Sequence, residues 1–371
     1  MLSLTRVFHV AAATAQHYAC QMEPLSSRVR VARVFRFDDP DRVPRWCGAS
    51  PEFWDKAKRD LSLDDEGLRS RLGDDFRRVY AQFCGPDPVL QNGATWESPF
   101  GIQRRGMGYG QPMSHPLADA TTVAEVEAFP WPSASRMDVS TIRTDAAAWN
   151  NQYAILGGDW SPFWHDAIDL VGQENLYYLM YDHAAAAEAL FSRVTDYYEA
   201  VSRAIFEQAA DAIDIFFFGN DFGSQTGPVL SPELFGRFLV PQLRRLIDLG
   251  HAYDLTVMLH CCGGFRELIP QLIDAGLDAL HALQPDARGM EPAGLKRDFG
   301  KDIVLNGAID SHHVLIDGNP AFVREETRKL LDIMMPGSGY VGGASHDTIL
   351  EETPVENVLA MFDAIDEYGR Y

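Results

Sequence analysis

From about residue 150 onward, short apolar runs closed by glycine, asparagine or aspartate alternate with longer amphipathic stretches. Residues 153–156 are closed by Gly157, Gly158 and Asp159, and residues 212–218 (AIDIFFF) by Gly219, Asn220 and Asp221. Residues 256–259 lead into His260 and Cys262, and further runs follow at 277–283, 303–305 and 339–342. Strands that alternate with helices form a parallel sheet with right-handed crossovers. Two more short runs, at residues 42–45 and 77–80, bring the count to eight. The pattern predicts an α/β fold, a single (β/α)8 TIM barrel rather than an open doubly wound sheet. Residues 26–37 show helical recurrence of Val29, Ala32, Val34 and Phe35 and stop at DDPDRVP, which predicts an N-terminal helical extension leading into the first strand. The barrel domain is therefore expected to span 26–371. Residues 51–83 carry amphipathic helices with solvated charges, and residues 85–110 crowd glycine, proline and aromatics into irregular loops or a hairpin.

Asp and Glu exceed Lys and Arg by 53 to 32, a net charge of −21 that would repel a phosphate backbone and argues against nucleic acid as a partner. Five cysteines without a short-range framework fit a reducing, cytoplasmic location better than a disulfide-stapled secreted fold. No apolar run of about 18 residues exists, so no membrane span is expected. Residues 1–25 hold few charges, but His9 and His17 interrupt the apolar part and Arg6 is its only base. A poorly ordered extension fits these residues better than a targeting segment. The sequence does not indicate an oligomeric state.

Chemistry concentrates at the end of the third late run, TVMLHCCGG. Alternate strand residues share a face, so His260 and Cys262 point the same way and Cys261 points opposite. Imidazole nitrogen and thiolate sulfur are ligands for a borderline-soft ion such as zinc; the plainer reading is two buried cysteines and a satisfied histidine. In a barrel the loops after the strands open on one face. Applied along the chain, that rule gathers Asp159, Trp160, Asn220, Asp221, Ser224, His260, Cys262, His281, Gln284, Asn306, Asp310, Ser345, His346 and Asp347 on one rim. Taken singly each is weak, since an aspartate after a strand often caps the next helix and His281 could equally be a buried, hydrogen-bonded residue. Asp310 and His312 resemble the start of a corrinoid-binding Asp-x-His-x-x-Gly motif, but Leu315 stands where the glycine belongs. Phosphate-cradling glycine motifs and Gly-x-Ser-x-Gly are absent, which leaves nucleotide cofactors and the common serine hydrolases without support.

The blocks FGNDFGSQTGPVLSPELF, MLHCCGGFRELIPQLIDAGLDAL and GYVGGASHDTILEETPVENVLAMFDAIDEYG, with RVRVARVFRFDDPDRVPR near the start, resemble the uroporphyrinogen decarboxylase superfamily over nearly everything after residue 26. The resemblance implies a (β/α)8 barrel with its cleft at the strand C-termini. It also implies one of two activities: cofactor-independent decarboxylation of uroporphyrinogen, or zinc-dependent methyl transfer between a corrinoid protein and a thiol. The arginine-bearing W-x-M-R-Q-A-G-R-Y block of the decarboxylases has no counterpart, and RVPRWCGASPEF occupies that region. His260-x-Cys262 is similar to the methyltransferases' zinc motif. Their third ligand, a cysteine, is replaced by Ser345-His346-Asp347.

These comparisons imply a zinc-dependent methyltransferase-like enzyme with His260, Cys262 and His346 as metal ligands. Asp221 would be a further ligand or the group that orients a histidine, and any corrinoid would be supplied by a partner protein. Trp160, Asn220, Ser224, His281, Gln284 and Asn306 would line the small-molecule substrate. The alternatives are a decarboxylase, in which Asp159 or Asp221 stabilises a protonated intermediate and His346 donates the proton, and a non-catalytic ligand-binding relative.

Overall fold

The computed structural model describes residues 24–84, 95–106, 110–149 and 151–371. The expected extension 1–25 thus lies almost wholly outside the described residues, as does part of the expected loop region 85–110.

Seven parallel strands form one sheet in which spatial order follows chain order. They are β1 (Phe76–Arg78), β2 (Ala154–Gly157), β3 (Ile215–Gly219), β4 (Thr256–His260), β5 (Ala279–Leu283), β6 (Val304–Ile309) and β7 (Tyr340–Ala344). Six of these strands are the six apolar runs after residue 150, and β1 is the run at 77–80 displaced by a residue or two. The runs are apolar without alternation because β2, β3, β5, β6 and β7 are buried at every position, as in parallel sheets covered on both faces. Helices complete the crossovers, among them α2 (Phe163–Val171), α3 (Ala184–Ala209) and the unlabelled Val240–Ala252 and Pro320–Met334.

The eighth expected strand, at 42–45, forms no full ladder. Arg45 makes a single parallel bridge to Gly342 on β7. Gly342 N donates to Pro44 O (2.8 Å), Trp46 N donates to Gly342 O (2.9 Å), and Asp75 N, just before β1, donates to Arg45 O (3.0 Å). Pro44 has no N–H to contribute, which limits the ladder here. Even so, this segment touches both edge strands, and the curled sheet is consistent with a TIM-like barrel.

The pleat sorts the core into two layers. Phe217, Met258, Ala279, Val304 and Val341 point inward and cluster with Trp46. Phe216, Phe218, Val257, Leu259, Leu280 and Leu305 point outward against the helices. The first helix, α1 (Ser27–Val34), is capped by Ser26 and inserts Val31 and Val34 into the inner cluster. It is part of the barrel's core rather than an appendage, because the inner strand ends would otherwise expose apolar surface.

Asp75 fastens this arrangement. Its fully buried carboxylate accepts from Ser27 Oγ (2.6 Å), Arg30 Nη1 (2.7 Å), Arg42 Nη1 (2.8 Å) and the backbone N of Arg45 (2.8 Å). Burial pushes the carboxyl up, but Arg42, Arg30 and Ser27 outweigh it and hold it below the usual carboxylate range. A depressed carboxyl contributes stability above its unfolded value of about 3.9, lost as pH falls through the lower folded value. Asp75→Asn removes the charge facing the buried Arg30 and the half-buried Arg42 guanidinium groups and should cost about 3–5 kcal/mol in urea unfolding at pH 7. A loss under about 1 kcal/mol would contradict this account.

Candidate metal centre

In the ladders, His260 on β4 stands opposite Gly219 on β3 and His281 on β5. The inward register that buries Met258 and Ala279 therefore carries His260 and His281 to the inner face one step further along. Cys261 faces outward into the apolar layer, where its Sγ accepts from Phe222 N (3.3 Å). Cys262 returns to the side of His260, as strand alternation predicted. Gly219 has to be glycine, since a Cβ there would lie 2.1 Å from the Trp160 indole, which packs across the strand end. Gly263 has φ +78° and packs against Gly223, so the turn after Cys262 tolerates no side chain.

Around His260 the polar atoms converge. His260 Nε2 lies 3.2 Å from Cys262 Sγ and 3.6 Å from Asp221 Oδ1, and all three offer ligand atoms within 4.8 Å of one another. Asp221 Oδ1 also accepts from Cys262 N (2.9 Å), which locks the loop after β3 to the loop after β4. The other side of Asp221 meets His165 of α2: His165 Nε2 lies 3.4 Å from Oδ2 and accepts from Asp221 N (3.2 Å). His260 Nδ1 lies 3.1 Å from His281 Nδ1.

The donor set fits a tetrahedral ion. Bonds of about 2.0–2.3 Å to nitrogen, sulfur and oxygen imply ligand–ligand edges of roughly 3.3–3.8 Å, close to the two distances above. Protonation states fit as well. Burial pulls His260 down, leaving a neutral imidazole with a lone pair to give. Burial opposes ionisation of Asp221, but His165 and His260 hold it well below the usual range. Cys262 is pushed far up by burial and by the Asp221 and Asp347 carboxylates, so without a cation it is a neutral thiol.

The cluster opens on a cleft of about 800 Å³, lined among others by Arg78, Asp159, Trp160, His165 and His346. His346, expected as a ligand, is an exposed rim residue whose Nδ1 accepts from Thr348 N (3.0 Å). Among the described residues it joins no group of three potential ligands, whereas its neighbour Asp347 groups with His260 and His281. Asp159 lines the cleft, accepts from Ser161 N (3.0 Å), and is pushed up by burial. Trp160 lies 5.4 Å, ring to ring, from His260.

The other expected substrate residues make contacts within the fold, and Asn220 also lines the cleft. Asn220 is fully buried; it accepts from Trp164 N (2.9 Å) and donates to Ser161 O (3.0 Å). Gln284 accepts from Gly263 N (2.9 Å), holding the turn after Cys262. Ser224 is exposed, and its carbonyl accepts from Gly264 N (2.7 Å). Asn306 is sealed inside the barrel near Met258 Sδ (3.8 Å), with Oδ1 unpartnered among the described residues.

Three charged or ionisable cleft residues, Arg78, His165 and Arg104, escaped the sequence reading. Arg78 is the last residue of β1, and applying the strand-end rule to that run would have found it. His165 sits in the first turn of α2, several residues past its strand, where no local signal marked it. Arg104, from the strand Gln103–Arg105, also reaches the cleft wall. It pairs with Asp166 Oδ1 (3.2 Å) and with Asp169, both on α2.

The cleft with its His, Cys and Asp cluster lies at the strand C-termini, where (β/α) barrel enzymes carry their active sites. More specifically, the chain is a member of the uroporphyrinogen decarboxylase (URO-D) family, whose sequence model matches residues 111–368. A methylcobamide:CoM methyltransferase MtaA of Methanosarcina barkeri is 28% identical over 144 residues, 38% of each chain. A methylated-thiol–coenzyme M methyltransferase of Methanosarcina mazei is 26% identical over 53% of this chain and 49% of its own. These matches span less than half the length of the two methyltransferases. A uroporphyrinogen decarboxylase of Actinobacillus succinogenes is 24% identical over 71% of this chain and 73% of its own. Among solved structures, a methyltransferase from Methanosarcina mazei shares the fold with a TM-score of 0.67, at 16% identity over 93% of this chain and 99% of its own.

The raised Cys262 thiol makes a chemical prediction. In metal-free protein at pH 8, iodoacetamide should modify exposed Cys84 well before Cys262, and Asp221→Asn should speed Cys262 by withdrawing one of the charges that hold its proton. Mass-mapped alkylation showing Cys262 as the fastest thiol would contradict that electrostatic picture.

Proposed function

We propose that this chain is a zinc-dependent methyltransferase-like enzyme that acts on a thiol or a small methylated substrate. The observation that carries the reading is the approach of His260 Nε2, Cys262 Sγ and the Asp221 carboxylate at tetrahedral edge lengths beside an open cleft. Asp221, already bridged to the Cys262 backbone, takes the third position that His346 was expected to fill. A zinc ion held there would supply the Lewis acidity that lowers the pKa of an acceptor thiol.

The remaining groups bind and orient. His165, by accepting from the Asp221 backbone N–H, helps fix the loop that carries Asp221, and Trp160 walls the cleft beside His260. His346 stands on the rim, where it can hydrogen-bond substrate or handle a proton, and Asp159 faces the same space. The methyl group arrives on a small substrate or on a corrinoid carried by a partner protein, since the Asp310 and His312 motif is incomplete in this chain. The likeness to the Methanosarcina methyltransferases supports this choice. Among the described residues no helix is long and apolar enough to cross a membrane, and the free Cys262 thiol suits a reducing, cytoplasmic setting.

Arg78 selects the substrate's charge. Its guanidinium lies over Tyr80, Trp160 and Phe217 at 4.8, 5.1 and 5.0 Å, and its Nε is buried without a hydrogen-bond partner. Its Nη2 donates to Phe217 O (3.5 Å), and the positive charge it brings to the cleft wall would attract an anionic group on the substrate.

A decarboxylase remains the second reading, favoured by the raised carboxyl of Asp159 and by the bacterial decarboxylase relative. Metal analysis separates the two. Protein purified without chelator should hold about one zinc, and Cys262→Ser and Asp221→Ala should each weaken zinc at least about tenfold, while His346→Ala leaves affinity unchanged. Zinc below about a tenth of an equivalent, with no uptake on dialysis, would overturn the metal reading. Carbon dioxide release from uroporphyrinogen that survives chelation and Cys262→Ser would establish the other reading. For Arg78, the cobalt-substituted protein should bind mercaptopropionate about tenfold or more tightly than mercaptopropanol, judged by the thiolate charge-transfer band. Arg78→Gln should erase that preference, and an unchanged ratio would remove Arg78 from substrate binding.

A further inference from the structure

We propose that His281 is a positioning residue, the middle member of a line Asp347–His281–His260 that keeps the proton on His260 Nδ1 and the Nε2 lone pair turned to Cys262 and Asp221. The inference rests on the metal reading above but concerns residues outside the ligand set.

His281 is 1% exposed, lies inside the barrel opposite His260 in the β4–β5 ladder, and does not line the cleft. Its Nδ1 is 3.1 Å from His260 Nδ1. Two imidazole nitrogens at that distance need one proton between them: two lone pairs or two N–H groups would repel. Both rings are enclosed in the barrel, His260 at 5% and His281 at 1% exposure, where an extra proton would leave a charge in the interior; with one proton on each ring, only two arrangements are available.

In one arrangement His281 donates from Nδ1. His281 then turns a bare Nε2 toward Asp347 Oδ1 at 3.8 Å, lone pair against carboxylate, while His260 points an N–H at Cys262 and Asp221. In the other, His260 donates from Nδ1. Its Nε2 lone pair then faces Cys262 Sγ and Asp221, and the buried Nε2 of His281, which has no hydrogen-bond partner in the described structure, carries a proton toward Asp347. Only the second arrangement leaves His260 able to ligate. Carboxylate to histidine to ligand is the usual way a protein fixes a ligating imidazole; here a second imidazole is inserted because β5, not a loop, is the neighbour of His260. The exposure of His346 does not bear on this line, since Asp347 and not His346 faces His281.

The test uses intact protein and two kinds of readout. Long-range proton–nitrogen NMR on metal-free protein should show one proton shared between the two Nδ1 atoms. After zinc is added, that proton should reside on His260 Nδ1, with His281 protonated at Nε2. Two rings both protonated at Nε2 in the metal-free protein would overturn the proposal regardless of zinc. Zinc affinity by chelator competition should fall about 10–100-fold in His281→Leu and be restored to within a few-fold in His281→Asn, whose amide oxygen can accept from Nδ1. The d–d spectrum of the cobalt form should shift in His281→Leu and return in His281→Asn. Equal affinity in wild type and in a folded His281→Leu would overturn the positioning role while leaving the metal reading intact. Failure of wild type itself to bind zinc would sink the metal reading and this role with it, even with the shared proton present. If His281→Leu does not fold, the NMR result and His281→Asn decide. Binding of two zinc ions, with His281 ligating one through the second grouping of His260, His281 and Asp347, would also overturn it.

Discussion

The barrel depends on Asp75. A seven-strand curled sheet has two edges, and what joins them is a four-residue segment whose one bridge to the sheet runs from Arg45 to Gly342, while Arg42 bridges to Arg370 near the C-terminus. So little backbone pairing would not hold the edges together by itself. Asp75 compensates by gathering α1 through Ser27 and Arg30 and the bridging segment through Arg42 and the Arg45 amide. The same carboxylate therefore positions the helix that plugs the inner core and the segment that joins the edge strands. A buried carboxylate with that many donors is worth more as a fixed point of geometry than as net stability.

Closure matters to the site because the site is a matter of register. His260 and His281 face each other only because β4 and β5 pair in step, and the same pairing aligns Gly219 with His260. A slip of one residue would turn both histidines outward into the helix layer and bring Cys261 inward. The apolar inner cluster forbids that slip, since Phe217 and Met258 would leave the core with it. Packing below the strand ends thus specifies the chemistry above them.

Much of this was written in the sequence. The apolar runs marked six strands closely because each is buried on both faces, and strand alternation put His260 and Cys262 together and Cys261 away. The segment 42–45 was legible as an extended run but not as a bridge, because its pairing depends on strands far away in the chain. His346 and Asp347 show where local reading stopped. Both follow β7, and a sequence offers no reason to prefer one; the turn directs Asp347 inward and His346 to the rim, where Thr348 engages its ring. Asn220 and Gln284 likewise stand at strand ends, yet both side-chain polar atoms of Asn220 and the Gln284 Oε1 are engaged by backbone partners. Residue type signalled polarity at the rim but not whether a free hydrogen bond would remain.

The charge balance of the cluster favours cation chemistry over a bare acid–base site. Asp221 and Asp347 are both held below the usual carboxylate range, while His260 and His281 are kept neutral by burial. Two ionised carboxylates therefore stand around a thiol that cannot ionise in their company, inside a protein that already carries −21. Protonating a histidine would relieve the repulsion only at the expense of putting a charge in the barrel interior. A divalent cation would relieve it where the lone pairs already converge, and would make the Cys262 thiol, the least acidic group of the set, able to serve as a ligand. The carboxylates that oppose ionisation of Cys262 alone would then favour it, Asp221 as a candidate ligand and Asp347 as a neighbouring negative charge that would stabilise a cation there.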